Sequence, residues 1–170
     1  MKKPKKVEFL HDSAKILRES FLSVAPQEGC ALLIGNQKLT RTKKEANFIQ
    51  IKLIWPCKNI WGSKIAKSLN LLNDFFDPEG NDQSKNSRFL IDPRDQINAQ
   101  KWARKQKLII LGSAHSHPKG NAIPSEIDRI NANSYSLMVI VSKSGTIKAW
   151  WIESNQTQEN IEVAFSAPIK

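Results

Sequence analysis

A chain of 170 residues fits a single domain and is long enough to bury a core without disulfide staples. Hydrophobic residues make up 40% and charged residues 25%, and no uncharged apolar run approaches the roughly 18–20 residues that span a bilayer. Cys30 and Cys57 alone cannot build a disulfide framework. These features exclude a membrane-helix protein, a secreted mini-protein and a disordered tail. The start lacks a signal peptide's apolar core, because His11, Asp12, Lys15, Arg18 and Glu19 interrupt it, so a reducing cytoplasm is the expected compartment.

The net charge is +10, and the excess sits early: residues 1–60 carry 12 Lys and Arg against 5 Asp and Glu. A basic surface attracts anionic partners, and a solvated Lys-rich surface accounts for it as well. Nucleic-acid binding asks for clustered cations among exposed aromatics. Here the cations are dispersed, which argues against it. The Lys2, Lys3, Lys5, Lys6 cluster reads as a frayed terminus, a basic extension over 1–11 ahead of one domain over 12–170.

Residues 13–25 have helical apolar spacing through Ile16, Leu17, Phe21 and Val24, with Pro26 as the stop. CALLI (30–34), ended by Gly35, suits a buried strand, and FIQIKLIW (48–55) alternates as a strand that Pro56 should end. Residues 63–76 look helical, and the polar stretch 77–87 reads as a loop. Together they make 60–87 an insertion suited to a lid or binding loop. A brief strand is expected at 88–91. Asp92 and Pro93 then open a helix to about residue 105 as N-cap and first helical position. Further strands are expected at 107–115, 137–141, 146–152 and 161–165, with a helix at 125–133. Strands and helices interleave, so the fold class is α/β or α+β, a mixed central sheet flanked by helices.

Two of the three histidines fall in AHSHPKGNAIPSEID. On a strand, positions i and i+2 share a face, so His115 and His117 can present two imidazoles to one ion. Asp128 follows on the first turn of the next helix, and a loop with Gly120 and Pro124 lets the chain turn back. Two His and one Asp match a catalytic zinc site, which has three protein ligands and one open position. Blander readings stand beside this one. A His-x-His pair can be incidental, and Ser125-x-x-Asp128 fits a capping box. Capping is compatible with ligation, since a cap fixes where Asp128 points. H-E-x-x-H, H-x-E with P-C-x-x-C, G-x-S-x-G and Walker patterns are all missing. Cys30 reads as inert core, and Cys57 receives no role. Trp150 and Trp151 should face opposite sides of a strand, one in the core and the other lining a surface.

HSHPKGNAIPSEID resembles the signature of the JAMM (MPN+) metalloprotease family. PQEGC (26–30) with ALLIG is similar to that family's Glu-bearing segment. Pro56…Asn59, FLIDP (89–93) and KAWWI (148–152) resemble further landmarks, so the likeness spans roughly 12–165. It implies a single MPN/JAMM domain with cytidine-deaminase-like layering, and one Zn2+ per chain on His115, His117 and Asp128. It further implies Ser125 as oxyanion donor and Glu28 as the base that takes water's proton and hands it to the leaving amine. The alternative for Glu28 is an exposed carboxylate at the end of the first helix. The implied activity is hydrolysis of an amide after the C-terminal Gly of a ubiquitin-like β-grasp sulfur-carrier protein or its conjugate. The rival is a noncatalytic MPN-type interaction module. No membrane partner is expected, and a homodimer stays open.

Overall fold

Side-chain alternation along the strands decides which residues line the interior, and it does so on both faces of the sheet. The computed structural model describes residues 2–38, 47–62, 85–154 and 157–166. The elements run β1 (Lys6–Phe9), α1 (Ser13–Leu22), β2 (Cys30–Lys38), β3 (Phe48–Cys57), α2 (Pro93–Lys105), β4 (Ile109–His117), α3 (Glu126–Asn131), β5 (Ser136–Ser142), β6 (Ile147–Ile152) and β7 (Gln158–Phe165). The strands form a closed barrel in the order β1-β3-β2-β4-β5-β6-β7. Most neighbours are antiparallel; β1 is parallel to both β3 and β7, and β4 is parallel to β5.

The mixed α+β class expected from the interleaved elements is what the chain adopts, and the sheet also closes. Closure depends on the Lys-rich start. Instead of fraying, Lys6–Phe9 pairs with β3 on one side and β7 on the other. Val7 and Phe9 are fully buried, while Lys3 lies beside Glu153 and Glu159 and Lys6 beside Glu162.

CALLI is continuous rather than alternating because β2 is covered twice. Ala31 and Leu33 join the main core with Leu17 and Phe21 of α1, whereas Leu32 and Ile34 pack with Ala99 and Ala103 of α2. β5 and β6 behave the same way: Val139 and Trp151 enter the main core, while Met138, Ile140 and Trp150 form a second cluster with Ala122. The adjacent tryptophans do face opposite sides, but both are buried, so neither lines a surface.

Pro56 does not stop β3, which continues to Cys57 with Pro56 opposite Ala31. β1 covers β3 only at residues 48–51, so one flank is uncovered by β1 at Pro56, where a missing N–H costs little. Residues 88–91 form no strand; only an isolated bridge joins Ile91 to Asn59. The helix start at Asp92 is as expected, its carboxylate accepting from the Arg94 N–H at 2.9 Å with Pro93 in the first turn. β4 approaches β5 so closely that a Cβ on Gly112 would meet the Leu137 carbonyl oxygen at 2.1 Å. The expected helix over 63–76, and most of the loop after it, lie outside the described residues. Among the described residues no helix is long and apolar enough to cross a membrane.

Candidate metal centre

β4 carries His115 and His117 on one face, as the strand period requires, and its last residues lead directly into the loop before α3. That loop is pinned from behind. The Trp150 indole N–H donates to the Ala122 carbonyl at 2.9 Å, and the Lys143 N–H to the Gly120 carbonyl at 3.2 Å. α3 then starts at a complete capping box. The Asp128 N–H donates to Ser125 Oγ, and the Ser125 N–H donates to Asp128 Oδ2 at 2.7 Å. The box is real, and it aims the Asp128 carboxylate back at β4.

Three candidate ligand side chains converge, Asp128 through both of its oxygens. His115 Nε2 and His117 Nε2 are 3.0 Å apart, His117 Nε2 is 3.3 Å from Asp128 Oδ2, and His115 Nε2 is 3.4 Å from Asp128 Oδ1. Ligand atoms about 2.0–2.1 Å from a tetrahedral zinc lie roughly 3.3 Å from one another, so these edges suit a single ion. His117 Nδ1 lies 2.8 Å from the Asn121 carbonyl, which can only accept, so Nδ1 carries a proton and Nε2 faces the ion position. Burial opposes charging the ring, but hydrogen bonds with Asp128 and Asn121 outweigh it and raise its pKa, so an ion there must displace the Nε2 proton. Complete burial lowers the His115 pKa and favours the neutral ring. Burial works against ionising Asp128, but hydrogen bonds from His115, His117 and Ser125 outweigh it and hold the carboxyl well below its usual range. His115 Nδ1 has no hydrogen-bond partner among the described residues; its ring is instead stacked on Phe89, with centroids 4.5 Å apart.

Glu28 lies just before β2 and is 5% exposed, so it is not the exposed carboxylate at the end of α1. α1 ends at Leu22, six residues earlier. Desolvation pushes Glu28 from 4.5 up to about 8, moderated by the nearby charges of His117 and Arg88 and reinforced by that of Asp128. Its backbone is tied down on both sides: its N–H donates to the Lys85 carbonyl at 2.7 Å, and its carbonyl accepts from Asn59 Nδ2 at 3.0 Å. Ser125 donates its hydroxyl proton to Asp128 Oδ2 at 2.7 Å. Cys30 is buried with its thiol pKa raised chiefly by desolvation, and Cys57 is pushed up to about 12 by the same cause, so both are inert.

Beside Asp128 opens a cleft of about 310 Å3, walled by Trp61, Phe89 and Ile91 on one side and by Ile127 and Asn131 of α3 on the other. The contributions of Asn59, Ser116, Phe89 and Asn121 were not assigned from the sequence, although Ser116 and Asn121 lie inside the HSHPKGNAIPSEID motif and Asn59 and Phe89 lie in the further landmarks.

A family model described as prokaryotic homologs of the JAB domain matches residues 12–153. A search of curated proteins gave no match. Among solved structures, a solution structure from Desulfitobacterium hafniense aligns over 96% of this chain and 95% of its own, with TM-score 0.68 and 20% identity. Another, from Salinibacter ruber, aligns over 96% and 95% with TM-score 0.55 and 20% identity. A crystal structure of a JAB1/MPN domain protein from Archaeoglobus fulgidus aligns over 95% and 98% with TM-score 0.48 and 14% identity.

Proposed function

The chain belongs to the prokaryotic JAB-domain family, and on that premise we propose that it is a zinc-dependent metallo(iso)peptidase cutting the amide after the C-terminal glycine of a ubiquitin-like or sulfur-carrier protein. The family contains both metallopeptidases and noncatalytic members. The observation that carries the catalytic reading is the convergence of His115, His117 and Asp128, with a buried Glu28 close enough for the charges of His117 and Asp128 to act on it. A zinc ion held by those three residues supplies Lewis acidity toward a carbonyl and toward water.

Glu28 does the proton work. Its carboxylate accepts a proton from the attacking water and returns it to the amine, a poor leaving group that must depart protonated. Burial raises the Glu28 carboxyl in the metal-free chain, which makes it a stronger proton acceptor than an exposed carboxylate. Ser125 turns its one hydroxyl proton from Asp128 to the oxyanion that develops on the carbonyl. The cleft beside Asp128 suits an extended chain, and a glycine tail has no Cβ to clash with its walls. The charge of +10 favours the approach of an acidic carrier body.

The test offers a carrier–lysine isopeptide or a carrier–amino acid adduct, beside an unrelated unfolded protein, with and without a zinc chelator. Chelator-sensitive release from the carrier alone supports the reading. Digestion of the unfolded protein with the adduct untouched makes the chain a general peptidase. Inertness toward both, with zinc bound, makes it a noncatalytic member.

A further inference from the structure

Asn59 is a half-buried residue just beyond β3, and its side-chain amide is fully used. Nδ2 donates to the Glu28 carbonyl at 3.0 Å and to the Arg88 carbonyl at 3.0 Å. Oδ1 accepts from the Trp61 N–H at 3.0 Å and from the Leu90 N–H at 3.2 Å. An asparagine amide has two donor protons and two acceptor lone pairs, and all four are satisfied here. None of these bonds goes to His115, His117 or Asp128.

The partners come from three separate pieces of chain. Glu28 bears the base. Arg88 and Leu90 flank Phe89, whose ring lies on His115, and Trp61 forms part of the cleft wall. One side chain thus joins the base, the cover of a ligand and the wall along which substrate would lie. No other residue type fits this place. Aspartate has no donor for the two carbonyls and sets a negative charge against them. Glutamine is one methylene too long, and alanine leaves all four groups without this partner.

We propose that Asn59 is the positioning residue of this site, fixing Glu28 in register with the metal centre and the cleft wall. The proposal rests on the peptidase reading above, with Glu28 as the base. A base displaced by about 1 Å can lose roughly 10²-fold in rate although ligands and fold are intact.

The test uses zinc-loaded full-length chain carrying Asn59→Asp, which retains the two acceptors, with Asn59→Ala read in parallel should the aspartate variant fail to fold. Zinc content is expected to stay at about one per chain, because no ligand is touched. The amide resonances of Gly29 and Phe89 should shift, since these N–H groups belong to the peptides whose carbonyls lose their donor. This readout needs no substrate. On a carrier adduct, kcat should fall about 10²-fold. Combined with Glu28→Asp, the Asn59 variant should add no more than about threefold to the loss, because both changes act on the same carboxylate. Unmoved resonances, kcat close to the parent's, or losses that simply multiply would overturn the proposal. An unmodified protein inert on every adduct would overturn the peptidase reading itself, whatever the resonances do.

Discussion

Gly29 and Ser116 are hydrogen-bonded to each other twice. The Gly29 N–H donates to Ser116 Oγ at 2.9 Å, and the Ser116 N–H donates to the Gly29 carbonyl at 3.0 Å. Ser116 stands between the two histidine ligands, and Gly29 follows the candidate base. The strand that carries the ligands and the turn that carries Glu28 are therefore one mechanical unit. Gly29 has little room to move, since a Cβ there would meet the Phe21 ring at 2.5 Å.

Ser116→Ala keeps the backbone half of this pair and orphans the buried Gly29 N–H. The expected cost is about 1–3 kcal/mol of unfolding free energy, measurable by urea denaturation of the zinc-loaded protein. Unchanged stability would mean that the hydroxyl contributes nothing to the joint.

Glu28→Gln keeps the shape of the side chain and removes the base. The variant should fold and bind zinc like the parent, with turnover of a carrier adduct reduced by at least ~10²–10⁴-fold. Turnover within a few-fold of the parent would show that Glu28 is a buried carboxyl with no part in the reaction.

The same residue ties stability to pH. Burial raises the Glu28 carboxyl from 4.5 to about 8 in the folded chain. Between those values the folded state holds a proton that the unfolded state has lost, so metal-free protein loses stability as pH rises through this window. Glu28→Gln has no such proton. The difference in urea midpoint between variant and parent should move in the variant's favour from about pH 5 to about pH 8.5. An equal difference at both pH values would contradict the raised pKa.

Trp150→Phe removes the N–H that holds the Ala122 carbonyl and leaves most of the ring packing in place. Stability should fall by about 1 kcal/mol. Because Ala122 lies in the loop between His117 and Ser125, zinc affinity should weaken too, as titration with a competing chelator will show. Full zinc affinity in the variant would mean that the loop holds its shape without this bond.

The candidate metal ligands were legible because each is set by a local rule. A period of two put His115 and His117 on one face, and the capping box started at Ser125 fixed Asp128. The Asp92–Pro93 helix start was legible for the same reason. What escaped is long-range. Nothing in the first nine residues says that Val7 and Phe9 will close a barrel, because their partners Ile49, Ile51, Val163 and Phe165 lie far along the chain. Pro56 was misjudged because its effect depends on which flank of β3 is covered. One of Trp150 and Trp151 was expected to line a surface; neither does, because the second core cluster is assembled from β5, β6 and the loop at Ala122. Asn59 lies 31 residues from Glu28, and although it ends the Pro56…Asn59 landmark, no local rule says that its amide will bind the Glu28 carbonyl.

The central claim is that His115, His117 and Asp128 hold one zinc ion within reach of Glu28. The most direct measurement is anomalous diffraction at the zinc edge from crystals of the zinc-supplemented protein. The account predicts one peak per chain, about 2.0–2.2 Å from His115 Nε2, His117 Nε2 and an Asp128 oxygen. No peak between these residues in supplemented crystals, or a zinc peak held by other side chains, would contradict it.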